Sequence, residues 1–114
     1  MQLVTDTISL ETLKQMSEKM FSKLVKAVVD IEQGIMVVDA ELHADEELFL
    51  LERGSQQMYL WGINIHPNTL PNDDWIEFDS MINIRPAIGN RDRYVHDEQV
   101  RKKIVAIVNK LVTL

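Results

Sequence analysis

Two groups of residues in this chain carry chemistry beyond what a fold requires. Glu41, His43 and Asp79 offer two carboxylates and an imidazole, and such groups placed side by side act as general acid and base because crowding drives their pKa values apart. The stretch RPAIGNRDR, residues 85–93, offers three guanidinium groups on Arg85, Arg91 and Arg93. With Asn83 just before it and Asn90 within it, this stretch could close on a small anion, because guanidinium forks match carboxylate and phosphate and turn amides add further donors.

A blander reading stands beside each. An antiparallel sheet with one wet face carries polar residues there whatever it does. Arg85 can pair with Asp79 or Glu77, and Arg91 and Arg93 can be tied down by Asp92 and Asp97. Glu41-Leu42-His43 puts two metal-ligand types two residues apart, with Asp45 and His66 as additions. No HExxH or EF-hand spacing accompanies them, so neither a metal nor a cofactor is expected. A Walker-type loop is lacking as well, which removes nucleotide hydrolysis. By alternation Ser80 falls on an apolar side, a packing position rather than that of a nucleophile. Trp61 and Trp75 have apolar neighbours and read as core or rim, while the spacing of Tyr94 and His96 does not separate ligand contact from surface.

These side chains need elements to hold them. Ser9 is a good N-cap flanked by Ile8 and Leu13 in hydrophobic-staple positions, and Leu10, Leu13, Met16, Met20 and Leu24 extend one apolar stripe of a first helix. The two methionines read as core filler. From Val25 the period becomes two: Val25, Ala27, Val29 and Ile31 alternate with Lys26, Val28, Asp30 and Glu32, which predicts a strand. Gln33-Gly34 turns the chain into a partner strand over 35–43, with Asp39, Glu41 and His43 on its polar side. The run 44–55 fits either strand or helix, and strand is the reading taken here. A β-rich segment over 58–66 follows a turn at 53–56, and 67–74 is a loop. Residues 75–85 read as the cleanest strand, with Ile76, Phe78, Ile82 and Ile84 opposite Glu77, Asp79, Asn83 and Arg85. Pro86 ends it, Gly89-Asn90 permits a turn with positive φ, and Asp97 caps a last helix carrying Val100, Ile104, Ile107, Val108 and Leu111.

At WGINIHP and EFDSMINIRPAIGNR the chain resembles a family of small bacterial and archaeal proteins classified as a domain of unknown function. The similarity extends through VKAVVDIEQGIM and ELHADEE. The resemblance implies family membership and one domain over 1–114; it implies no activity, cofactor or site residue.

The 114 residues suit one α+β domain, a mainly antiparallel sheet of about five strands with the N-terminal and C-terminal helices packed on one face. The opposite face would then collect Asp30, Asp39, Glu41, His43, Asn64, His66, Glu77, Asp79, Asn83 and Arg85. No cysteine is present, so disulfides and thiolate chemistry are excluded and a reducing compartment, the cytoplasm, is expected. The start MQLVTDTISLETLK lacks the pattern of a signal peptide, and no apolar run is long enough to span a bilayer. A net charge of -6 argues against a nucleic-acid partner. The function expected is therefore a binding module for an anion or acidic partner, through the polar sheet face and the loop of Arg85, Asn90, Arg91, Asn83 and Arg93. The alternative is a small enzyme with Glu41, His43 and Asp79 as acid and base groups and Arg85 or Arg91 as charge stabilisers. A protein partner and self-association into a homo-oligomer stay open.

Overall fold

The computed structural model describes residues 1–20 and 23–114. Among them, five strands form one antiparallel sheet in the order β1 (Gln2–Val4), β4 (Ile35–Val38), β3 (Val25–Asp30), β5 (Leu60–Ile65), β6 (Ile76–Glu77). A separate parallel pair joins β2 (Ile8–Ser9) to β7 (Val112–Thr113), tying the start of helix α1 (Leu10–Ser17) to the end of helix α3 (Glu98–Leu111).

Alternation in β3 sets two faces. Val25, Ala27 and Val29 point with Met36, Val38, Trp61, Ile63 and Ile65 into the larger core, where Leu13 and Met16 of α1 and Ile104, Val108 and Leu111 of α3 cover them. Both expected helices therefore pack on one face of the sheet. Ser9 caps α1 by accepting from the Thr12 amide at 3.0 Å, and Asp97 caps α3 by accepting from Gln99 N at 2.8 Å. Helix α1 is shorter than its apolar stripe suggests. It ends at Ser17, whose hydroxyl donates to the Lys14 carbonyl at 2.7 Å, and Lys23 takes a left-handed φ of 57° that turns the chain towards β3. Met20 and Leu24 thus lie beyond the helix, and positions 21 and 22 between them lie outside the described residues.

The second face differs from expectation. It is not an open polar surface, because Val28, Val37 and Leu60 are covered by Leu50 of a third helix, α2 (His43–Leu51), together with Ile82. The strand expected over 35–43 stops at Val38, since Asp39 adopts φ 71° and breaks the ladder. Residues 44–55, taken as strand from the Leu48 to Leu51 run, are mostly helical. Asp45 and Glu46 occupy the favourable first turn of α2, and Gly54 (φ 96°) closes its end while the Ser55 amide donates to the Leu50 carbonyl at 3.0 Å.

The segment 75–85 is the largest correction. Only Ile76–Glu77 is strand, and Met81–Asn83 and Pro86–Ile88 are single 3₁₀ turns. The chain crosses over β5 instead of pairing along it. Ser80 lies so close to Gly62 that a Cβ there would sit 2.5 Å from Ser80 Cβ. The Asn83 side chain then stands in for a neighbouring strand: Gly62 N donates to its Oδ1 at 2.8 Å and its Nδ2 donates to Gly62 O at 2.9 Å.

Candidate functional site

One end of the second sheet face stays polar and concave. Strand register places Lys26 of β3 opposite Asn64 of β5, and Asn64 opposite Glu77 of β6, so three polar side chains stand in a row across three strands. Helix α2 delivers His43 to this row, and the crossing segment with the loop after it delivers Asp79 and Arg93. Together they line a cleft of about 450 Å³ whose apolar wall includes Leu24, Leu42 and Ile82.

His43 is 8% exposed. Its Nε2 lies 2.7 Å from the Ile63 carbonyl, which can only accept, so Nε2 carries the proton and donates it. The basic lone pair is then on Nδ1, which has no hydrogen-bond partner among the described residues. Burial lowers the imidazole below its usual pKa, against the Ile63 bond and with help from the Lys26 charge, so the ring is neutral at neutral pH. Lys26 is half-buried and, among the described residues, has no ion-pair or hydrogen-bond partner. The nearby carboxylates are occupied: Arg93 Nε donates to Asp79 at 2.6 Å, and Glu77 accepts from Asn64 Nδ2 at 3.0 Å and lies 3.1 Å from His66 Nε2. Burial pushes the Glu77 carboxyl up, but the hydrogen bonds from His66 and Asn64 outweigh it and hold the group below its usual range. Asn64 Oδ1 is buried without a partner. A second hollow of about 780 Å³, lined by His66, Asp74, Asp92 and Tyr94, adjoins across the shared wall of Glu77, Asp79 and Arg93.

Of the residues expected to be catalytic or anion-binding, the fold gathers His43, Asp79 and Arg93, beside Asn64 and Glu77 of the expected polar face, and it places Glu41, Asn83, Arg85, Asn90 and Arg91 elsewhere. Glu41 is exposed and apart from the cleft. Asn83 clamps Gly62, and Asn90 is buried, donating from Nδ2 to the carbonyls of Asn83 at 2.7 Å and Tyr94 at 2.6 Å while accepting from His96 N at 3.0 Å. Arg85 pairs with neither Asp79 nor Glu77. Its guanidinium lies 3.7 Å from Glu47 and 4.7 Å from the Trp61 ring centre, and it donates to the Leu60 carbonyl. Arg91 is exposed and unpaired among the described residues. The described residues contain no group of three or more His, Cys, Asp and Glu side chains arranged to hold a metal ion.

Lys26 was visible only as one polar member of an alternating strand, and nothing in its spacing marked it. Glu46 was missed too. It is fully buried three residues after His43 on α2; one carboxyl oxygen accepts from Ala40 N at 3.2 Å and the other has no partner. Burial pushes its pKa up to about 9, so it is protonated at neutral pH. The signal for it was the His-x-x-Glu spacing, legible only if 44–55 is helical.

Residues 2–111 match the model of a family described as a protein of unknown function, DUF5674. No curated protein and no solved structure matches the chain.

Proposed function

The chain belongs to the DUF5674 family, and on the geometry of its cleft we propose that it is a binding module for small anionic molecules. What supports this is Lys26, a half-buried cation with no counter-ion among the described residues, in a cleft where Asp79 is ion-paired with Arg93 and Glu77 already accepts from Asn64 Nδ2. An unpaired charge in partly desolvated surroundings attracts an anion more strongly than one in open water. Arg93, paired through Nε with Asp79, is the second cation lining the cleft. The Nδ1 lone pair of neutral His43 then accepts from a donor beside the anionic group. The ligand class is a small carboxylate or phosphate bearing an adjacent hydroxyl or amine.

Calorimetric titration with acetate, lactate and inorganic phosphate tests this. Lactate, which adds a hydroxyl donor, binds more tightly than acetate, Lys26→Met weakens binding about tenfold or more, and Arg91→Met leaves it unchanged. No binding of any of the three, or affinity indifferent to Lys26→Met, overturns the reading.

One observation favours a second reading, a small enzyme. His43 has the posture of a general base, with one nitrogen pinned to a carbonyl and the other bare, near Asp79 and Arg93. In D2O, exchange of the α-hydrogen of bound lactate that disappears in His43→Gln identifies proton abstraction. Binding without exchange leaves the module reading alone.

A further inference from the structure

The Lys26 cleft is only partly polar. Met20, Leu24, Leu42, Met81 and Ile82 share its lining with the row of Lys26, Asn64 and Glu77. Its volume of about 450 Å³ equals that of roughly fifteen waters at ~30 Å³ each, so a molecule as small as lactate fills a fraction of it. Two of the apolar lining residues serve no purpose in the fold. Leu42 is 56% exposed and Met81 64%, and among the described residues neither packs into either hydrophobic core. Leu42 moreover holds the N-cap position of α2, where Ser, Thr, Asp or Asn would accept from a free amide of the first turn, and its side chain makes no capping bond. A leucine that contributes to neither core nor cap breaks the local rule at a point where it lines a cleft, and such breaks concentrate at functional sites. Small-molecule sites commonly combine an apolar wall with a few placed polar groups, which is the make-up found here.

We propose that the cleft is selective for an aliphatic 2-hydroxy acid whose carboxylate meets Lys26 and whose alkyl tail covers Leu42 and Met81, a ligand class that rests on the anion-binding reading of the same cleft. A single negative charge suits it better than a phosphate monoester of about -1.5 to -2. Lys26 is the one cleft cation without a partner among the described residues, and Glu77 and Asp79 in the same lining repel further negative charge. Covering Leu42 and Met81 removes apolar surface from water on both partners, so affinity grows with tail length. The unbranched thioether of Met81 adapts its shape to tails of different length.

Calorimetric titration with lactate, 2-hydroxyhexanoate and 2-hydroxyoctanoate reads the contribution of the tail. Each added methylene tightens binding about two- to fourfold. Octan-1-ol, which keeps the tail and lacks the charge, binds far more weakly than 2-hydroxyoctanoate. Leu42→Ser and Met81→Ser, both at exposed positions, each weaken 2-hydroxyoctanoate binding about fivefold or more and leave lactate binding unchanged. Leu42→Ser also supplies the capping hydroxyl that α2 lacks, so its melting temperature equals or exceeds that of the wild type and its lost affinity is not a loss of folding. Affinity that stays flat across chain length, while lactate binding still depends on Lys26, overturns the tail site and leaves the anion reading standing. A gain with length that both serine variants retain, or octan-1-ol bound as tightly as 2-hydroxyoctanoate, overturns it as well. Absence of lactate binding overturns the anion reading itself, and the tail site with it.

Discussion

Glu46 and His43 are both held neutral by the same helix against the same sheet, and their stability signatures run in opposite directions. The folded state keeps the Glu46 proton up to about 9, while the unfolded chain releases it near the ordinary 4.5. The stability that Glu46 contributes is therefore complete below 4.5 and falls as pH rises towards 9. Glu46→Gln keeps an acceptor for Ala40 N and removes the titration, so its stability relative to wild type improves by about 3 kcal/mol between pH 5 and pH 7. Urea denaturation at the two pH values measures this difference, and parallel curves for both proteins contradict it. For His43 the folded pKa lies below the ordinary 6.5, so its contribution is intact above 6.5 and is lost as pH falls through the lower folded value. His43→Gln flattens that acid side. At this scale the sequence was informative about residue type and uninformative about environment. Ser9 and Asp97 were readable as caps because capping is local, whereas the roles of Lys26 and Asn83 depend on strands far away in sequence.

Elements were legible where their periodicity was continuous and illegible where one residue interrupts it. Strand β3 and helix α3 follow their patterns closely. The segment 75–85 also alternates, yet at Ser80 the chain climbs over β5, because Gly62 leaves a gap that only a residue without Cβ provides. Gly62→Ala forces Ser80 away and costs roughly 1–3 kcal/mol. Ser80→Gly in the same chain restores much of it, and a double-mutant thermal-melt series that shows purely additive losses contradicts this packing. Asn83→Ala is more damaging than an average surface change, about 2 kcal/mol or more, because it strips both the N–H and the C=O of Gly62 of their partner. Helix α2 went unrecognised because a four-residue apolar run has no period of its own. Its acidic first turn and closing Gly54 were the signals available. That misreading is what made the second sheet face look open, when α2 covers its centre and leaves only one polar end concave.

The chain carries a net charge of -6, and no helix among its described residues is long and apolar enough to cross a membrane. A local cation must therefore act against the field of the whole molecule. The proposed anion binding at Lys26 is expected to weaken with salt less steeply than binding at an exposed lysine, because the cleft shields the pair from counter-ions. A titration repeated at about 0.02 and 0.2 M salt checks this, and complete loss of binding at the higher concentration contradicts it. The proposed function rests on a neutral His43 near Lys26, which has no partner among the described residues, with Nδ1 left to accept from a ligand. The long-range proton–nitrogen spectrum of the His43 ring during a lactate titration reads this most directly. The account predicts a protonated Nε2 and an unprotonated Nδ1 at neutral pH, with Nδ1 shifting on saturation while Nε2 holds. A ring protonated on both nitrogens, or an Nδ1 signal unmoved by saturating lactate, contradicts it.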